Sequence, residues 1–298
     1  MLKDLYDKNF IPNYKEIENI SSRVSRLLAP NPSPYTFHGT GTYIIGKKNI
    51  CIIDPGPKIH EHIELLLNSL NKKLITHILV THNHSDHSAA AKLLKEKTGA
   101  TIYGYVSGNN VIENTNFEAA YDNNFVPDIP LKDGQLIKGE DWTLQAIHTP
   151  GHTSDHLCFG LEEEQILFCG DHVMGWATTV ILPPDGDMGE YINSLKKILK
   201  YDYKVFFPTH GNLIDNPNKY VRALIAHRKM REKQIVEELK KNKLTINDML
   251  SKFYSTTNKN LWPAASMTLK ATLLLLQKKG IARNSKNKNN EEIWSYVV

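Results

Sequence analysis

The chain has 298 residues, 41% hydrophobic and 23% charged, which fits an ordinary globular protein and excludes a disordered or fibrous one. No apolar run reaches the roughly 18 residues of a membrane span. The opening MLKDLYDKNF carries charge too early for a secretory signal, so a cytoplasmic protein with no membrane partner is expected. The length favours one large catalytic domain with a smaller appendage, expected at 1–217 and 218–298.

The net charge of +4 conceals an asymmetry. From Lys219 onward there are 17 Lys and Arg against 6 Asp and Glu, and before it 19 against 26. A basic module joined to an acidic one points to an anionic partner such as nucleic acid. A solvated, lysine-rich surface explains the same numbers equally well. Cys51, Cys158 and Cys169 each sit in an apolar, strand-like segment with no CxxC spacing, and read as buried reduced thiols.

In chain order, segments around 24–29, 36–45 and 49–54 are short, β-branched and bounded by Gly or Pro, as strands are. IHEHIELLLNSL (59–70) has helical spacing of its apolar residues. ITHILVT (75–81) reads as a buried strand, followed by the loop HNHSDH and a helix at 89–97 ended by Gly99. TIYGY (101–105) is a strand, and 107–130 is a loop with room for a short helix. Strands recur at QLIKG, WTLQAIHT, HLCFGL and QILFCG, then a helix at 190–200 and a strand at 204–207. An α/β fold in which helices cover sheets follows, and an αββα sandwich is one such layout. Beyond Pro217 the pattern predicts helices at 220–240, 245–253 and 267–279, with Thr245 and Ser266 as N-caps, then two short strands. That order resembles a winged helix.

His82-x-His84-x-Asp86-His87 carries the most chemistry. Alternate positions in extended backbone point the same way, so His82 and His84 can grip one metal. Asp86 and His87, at the entry to the next helix, can turn to a second. Without a cation these grouped side chains would desolvate and repel one another. Imidazole and carboxylate without thiolate suit zinc, with Mn²⁺ or Fe²⁺ sharing the geometry. His152, Asp171 and His210 each follow a predicted strand, where a sheet presents its site. His77 reads as a core residue or an outer partner of the site, His172 as facing either pocket or core, and His38, His60, His62, His148 and His227 as surface or packing residues.

IDPG (53–56), THNHSDH (81–87), TPGHTSDH (149–156), GDH (170–172) and PTHG (208–211) occur in the order of the metallo-β-lactamase-fold hydrolases, and the chain resembles that family. The resemblance implies the αββα sandwich and two metal ions. His82, His84 and His152 would hold one ion, Asp86, His87 and His210 the other, and Asp171 would bridge them. It also implies Asp54 as an orienting carboxylate beneath the site. His156, in the same motif as His152, is a candidate hydrogen-bonding neighbour of the site. A shared hydroxide would be the nucleophile, with Asp86 and Asp171 as the catalytic carboxylates and Asp86 orienting the hydroxide.

Such a site serves esters, thioesters, lactams and phosphodiesters alike. The short span between Asp171 and His210 leaves no room for the inserted domain of long RNA-processing members. The tail does not match that of glyoxalase II. The likeness extends in particular to the β-lactamase-like protein 2 group, through GWATTV (175–180), MGEYINSLKKIL, the HRKMREKQI helix and the tail. It implies Trp176, Thr178 and Thr179 lining the pocket. It also favours single-stranded RNA as substrate, guided by the basic domain with Trp262 or Trp294 for stacking. A small acyl thioester, ester or lactone is the alternative. A DNA-binding regulator with a vestigial site is disfavoured by the complete ligand set. A homodimer is compatible with all of these.

Overall fold

The computed structural model describes residues 2–70, 73–107 and 121–297. Seven strands form one sheet in sequence order: β1 (Glu18–Asn19), β2 (Val24–Leu28), β3 (Gly41–Ile45), β4 (Asn49–Ile53), β5 (Leu74–Leu79), β6 (Thr101–Gly104) and β7 (Ile129–Pro130). Pairing is antiparallel from β1 to β4 and parallel from β4 to β7. The parallel half needs crossovers. Helix α1 (His60–Ser69) links β4 to β5, and α2 (Ser85–Ser88) with α3 (Ala91–Thr98) links β5 to β6. A second sheet holds β8 (Leu136–Lys138), β9 (Thr143–His148), β10 (Leu157–Leu161), β11 (Ile166–Gly170) and β12 (Val205–Pro208), with α4 (Met188–Ile198) crossing from β11 to β12.

Period-2 alternation divides the strands between layers. Along β4, Cys51 and Ile53 pack with Leu144, Phe159, Phe168 and Phe207 between the sheets, while Ile50 and Ile52 pack with Leu66, Leu70 and Leu94 of α1 and α3. On the other side, Ile147, Cys158 and Leu167 meet Tyr191, Leu195 and Ile198 of α4. The layers are therefore α, β, β, α, as the sequence implies. All three cysteines are buried and free.

The long helix α5 (Pro217–Lys241) belongs to two cores. Its Tyr220, Val221 and Leu224 pack with α4, while Ile235 and Leu239 pack with α6 (Ile246–Phe253), α7 (Trp262–Lys278) and the hairpin of β13 (Ala282–Lys286) and β14 (Glu292–Tyr296). No linker separates the units. Among the described residues, no helix is long and apolar enough to cross a membrane.

Several expectations need correction. The strand expected at 36–45 begins only at Gly41, because Phe37 (φ 58°) and Gly39 (φ 129°) turn the chain. The helix expected at 89–97 is found at Ala91–Thr98, preceded by an unexpected short turn at Ser85–Ser88 around the metal motif. The loop expected at 107–130 ends in β7, and its residues 108–120 lie outside the described residues. Thr245 caps α6 as expected, but Ser266 lies inside α7, which starts at Trp262. Pro263 opens that helix, its fixed φ suiting the first turn and its missing N–H removing no bond. Trp294, expected to be free for stacking, is fully buried, and Trp262 is half-buried.

Phe168, buried between the sheets against Tyr43 (5.0 Å) and Phe207 (5.5 Å between ring centroids), tests the inner layer. Phe168→Ala should cost about 3–5 kcal/mol in urea unfolding, and a loss under about 1 kcal/mol would mean this layer is not close-packed.

Candidate metal centre

The site lies where the two sheets end together. β5 leads into Thr81–His87, β9 into His152, β11 into Asp171 and β12 into His210. All seven proposed ligands converge. His82, His84 and His152 form one group, Asp86, His87 and His210 a second, and His82, His87 and Asp171 a third that joins them.

Outer partners fix which nitrogen of each ring faces inward. His87 Nδ1 donates to Asp54 Oδ2 (2.8 Å), His152 Nδ1 to the Val180 carbonyl (2.7 Å) and His210 Nδ1 to the Gly39 carbonyl (3.0 Å). Thr81 Oγ1 donates to Asp54 Oδ2 (2.9 Å), which leaves its oxygen to accept from His82 Nδ1 at 3.1 Å. Each of these four rings therefore aims its Nε2 at the cluster.

That arrangement fits divalent cations. His82 Nε2 and His152 Nε2 lie 2.8 and 3.2 Å from His84 Nδ1, near the roughly 3.3 Å between nitrogens sharing one tetrahedral zinc. One shared proton cannot bind all three lone pairs. On the other side, His87 Nε2, His210 Nε2 and Asp171 Oδ1 are buried with no hydrogen-bond partner. Asp171 divides its oxygens between the groups: Oδ1 is 3.4 Å from His210 Nε2 and 3.7 Å from His87 Nε2, and Oδ2 is 3.7 Å from His152 Nε2. Asp86 Oδ2 lies 3.3 Å from His210 Nε2 and 3.5 Å from His87 Nε2.

The electrostatics follow. Burial raises the Asp86 and Asp171 carboxyls, but His87 and His210 outweigh it and hold both below the ordinary range. Burial lowers His87 and His210, yet the surrounding carboxylates hold both above the ordinary histidine value. Burial and neighbouring histidines depress His82 and, despite nearby carboxylates, bring His84 to about 3.

Asp54 is wholly buried beneath the cluster. His156 stands behind it, its Nε2 accepting from the Asp171 amide (3.2 Å) and its Nδ1 meeting Thr149 Oγ1 (2.9 Å). Gly170 allows this approach, since a Cβ there would lie 2.6 Å from His156 Nε2. Trp176 is half-buried, stacked on Phe37 at 4.7 Å and lying against Gly211 beside His210. Thr178 is half-buried, while Thr179 is buried with its hydroxyl donating to the Asp171 carbonyl at 2.7 Å. His172 is buried against Tyr191, and His62 is buried against Thr42.

Sequence reasoning missed several contributors. The Val180 and Gly39 carbonyls carry no side-chain signature. Phe37 and His38 pack together beside Trp176, and no motif announced them. Asp155, although inside TPGHTSDH, was not singled out. Its Oδ2 accepts the amide of Asn83, between two ligands (3.0 Å), and burial pushes its carboxyl up to about 7.

Five converging imidazoles and two carboxylates on a double-sheet scaffold define a metal-dependent hydrolase site. Comparison with known proteins agrees. The profile of the metallo-beta-lactamase superfamily matches residues 35–210, and the chain belongs to that superfamily. It is 32% identical to a beta-lactamase-like protein 2 homolog of Drosophila melanogaster, over 94% of this chain and 96% of that protein. It is 33% identical to an atrochrysone carboxyl ACP thioesterase of Claviceps purpurea, over 82% of this chain and 76% of that protein. A beta-lactamase domain protein from Burkholderia ambifaria shares the fold, with a TM-score of 0.82 at 15% identity over 97% of this chain and 96% of that one.

Two measurements probe the centre. Asp54→Asn presents an NH₂ to donors that now find a carboxylate, and should weaken the ion held by His87 about 10–100-fold in chelator competition while the protein stays folded. Unchanged affinity would show that Asp54 does not orient the ligand. Because His87 and His210 are held above the ordinary histidine value without an ion, metal must displace their protons. Loading near neutral pH should therefore release protons in a weakly buffered titration, and affinity should fall as pH falls.

Proposed function

We propose that this chain is a two-metal, zinc-dependent hydrolase acting on a small acyl thioester, ester or lactone. The observation that carries the acyl reading is the wall beside the cluster. Phe37 and Trp176 stand against the His210 side, with His38 and Phe10 behind Phe37 at ring distances of 4.1 and 6.5 Å. Among the described residues, no Lys or Arg side chain hydrogen-bonds or ion-pairs with any of the seven cluster residues. An apolar, aromatic wall suits an acyl chain, whereas a scissile phosphate calls for cations close to the reacting atoms. Similar proteins named as ACP thioesterases support the same reading.

Bound ions would supply Lewis acidity and a water ionised near neutral pH. The protein supplies position and proton handling. Asp86 is the most open member of the cluster at 20% side-chain exposure, with Asp171 at 11% and His87 and His210 at 1% or less. Substrate therefore enters at the Asp86–Asp171 side. There the Asp86 carboxylate would orient the attacking water and accept the proton released when that water ionises, while the buried imidazoles stay fixed by their outer partners. Phe37 and Trp176 exclude bulk water from the His210 side.

Single-stranded RNA is the second reading, favoured by the surplus of 17 basic over 6 acidic residues from Lys219 onward. Arg283, Lys286 and Lys288 are exposed on the hairpin. Six other lysines of this region pair with carboxylates: Lys240, Lys241, Lys252, Lys270, Lys278 and Lys279. Only Asp187, the partner of Lys278, lies outside the region, so most of the basic surplus remains.

The readings separate in one experiment, with zinc-loaded wild type and His82→Ala assayed on an acyl thioester and on labelled single-stranded RNA. Thioester turnover that falls by more than about 100-fold in the variant, with RNA intact, is expected, since loss of a ligand should exceed the effect of losing an outer partner. RNA cleaved by wild type alone, with the thioester untouched, would replace the acyl reading.

A further inference from the structure

We propose that Arg228 is a positioning residue that fixes the His152 and Asp171 side of the metal centre through the backbone of residues 179–181. The inference rests on the reading of the cluster as a metal centre.

Arg228 lies on α5 and is only 6% exposed. Among the described residues no carboxylate lies within ion-pair distance of it, and its Nε is buried without a partner. Its hydrogen bond runs from Nη2 to the Thr179 carbonyl, and its guanidinium lies 5.2 Å over the Tyr191 ring. Burying a cation with so few acceptors carries a desolvation penalty of several kcal/mol, and an apolar side chain of like volume would fill the space without it. Packing alone therefore does not explain an arginine at this position. The bond to Thr179 does.

The carbonyl it holds belongs to the peptide linking Thr179 to Val180. That plane anchors one end of Val180, and the next plane carries Val180 O, which accepts His152 Nδ1–H at 2.7 Å and sets the direction of His152 Nε2. The Thr179 hydroxyl donates to the Asp171 carbonyl at 2.7 Å and lies 3.2 Å from that of His172. Tyr191, beneath the guanidinium, donates its hydroxyl to the same His172 carbonyl at 3.0 Å. From α7, Thr268 Oγ1 accepts the Ile181 amide at 3.4 Å. This short segment is thus gripped by α5 and α7 on one side and bonded to two ligand-bearing residues on the other. Arg228 touches neither ligand and acts through the backbone between them.

The test compares full-length Arg228→Met, Arg228→Lys and Arg231→Met with wild type. Arg231, one turn further along α5, packs over Phe253 (5.0 Å) and Tyr254 (4.7 Å) and controls for stability alone. Cobalt(II) absorption reports ligand geometry, chelator competition reports affinity, and thermal unfolding reports stability. Arg228→Met should weaken one ion about 10–100-fold and shift the cobalt spectrum, as loss of an outer-shell partner does. Arg228→Lys, which keeps a cationic donor, should recover part of both. Arg231→Met should lower the melting temperature without moving affinity or spectrum. Should Arg228→Met fail to fold, Thr268→Val reads the same segment from α7.

Wild-type affinity and spectrum in Arg228→Met would overturn the proposal. So would a rise in KM with metal binding unchanged, which would make Arg228 a receptor for an anionic group of the substrate. If Arg231→Met moved the affinity equally, the effect would be general loosening. If wild type itself bound no cobalt, the metal-centre reading would fall, and this inference with it.

Discussion

One buried carboxylate joins the parts of this site. Asp54, wholly excluded from solvent, accepts the Thr81 amide (2.8 Å), the Thr81 hydroxyl (2.9 Å), His87 Nδ1 (2.8 Å) and the Thr209 hydroxyl (2.9 Å). Those donors come from the ends of β5 and β12 and from α2, while Asp54 itself follows β4. Its backbone sits at φ 50°, a conformation that side-chain-bearing residues rarely adopt. A carboxylate moved from water into a protein loses several kcal/mol of solvation, and charge-assisted hydrogen bonds return roughly 1.5–3 kcal/mol each. Only the whole set of donors makes the position tolerable. The two sheets therefore have to end together here, since a strand slipped by one residue would leave a buried charge short of donors.

From that anchor the ligand orientations follow outward. Asp54 holds Thr81 and His87, Thr81 holds His82, and the chain returns through Gly56, whose amide donates to the His87 carbonyl at 3.1 Å. The opposite side is held by carbonyls, Gly39 for His210 and Val180 for His152. Ligands fixed by such partners keep their inward nitrogens converging before any ion arrives, so metal entry displaces protons but requires little rearrangement of the protein. Asp86 differs. Its more open carboxylate is the cluster member best placed to exchange a proton with solvent or substrate.

The sequence made much of this legible for a physical reason. Metal ligands have to be particular residue types, and strand ends deliver them in short clusters such as THNHSDH and TPGHTSDH. Layer order was legible only through the family resemblance, because strand and helix patterns alone suit several α/β layouts. The start of α7 was not, because Ser266 resembles a cap while Pro263 opens the helix earlier. Trp294 was misjudged because an aromatic in a short basic hairpin looks the same whether it covers a core or faces a ligand. The carbonyls of Gly39 and Val180 could not be found at all. Backbone partners are specified by where the chain runs, and sequence patterns see that poorly.

The charge asymmetry, so prominent in the sequence, acquires a second meaning in the fold. Asp187 caps α4, accepting the amides of Gly189 (2.7 Å) and Glu190 (3.0 Å), and also pairs with Lys278 of α7 at 2.5 Å. An exposed pair of this kind adds little stability, but it lies at the joint between the acidic and basic units. Ala271 of α7 packs into the same core as Tyr191 and Leu195 of α4. The basic unit therefore meets the acidic one through complementary charge as well as apolar packing. One lysine of that excess thus pairs across the joint, while Arg283, Lys286 and Lys288 are exposed on the hairpin.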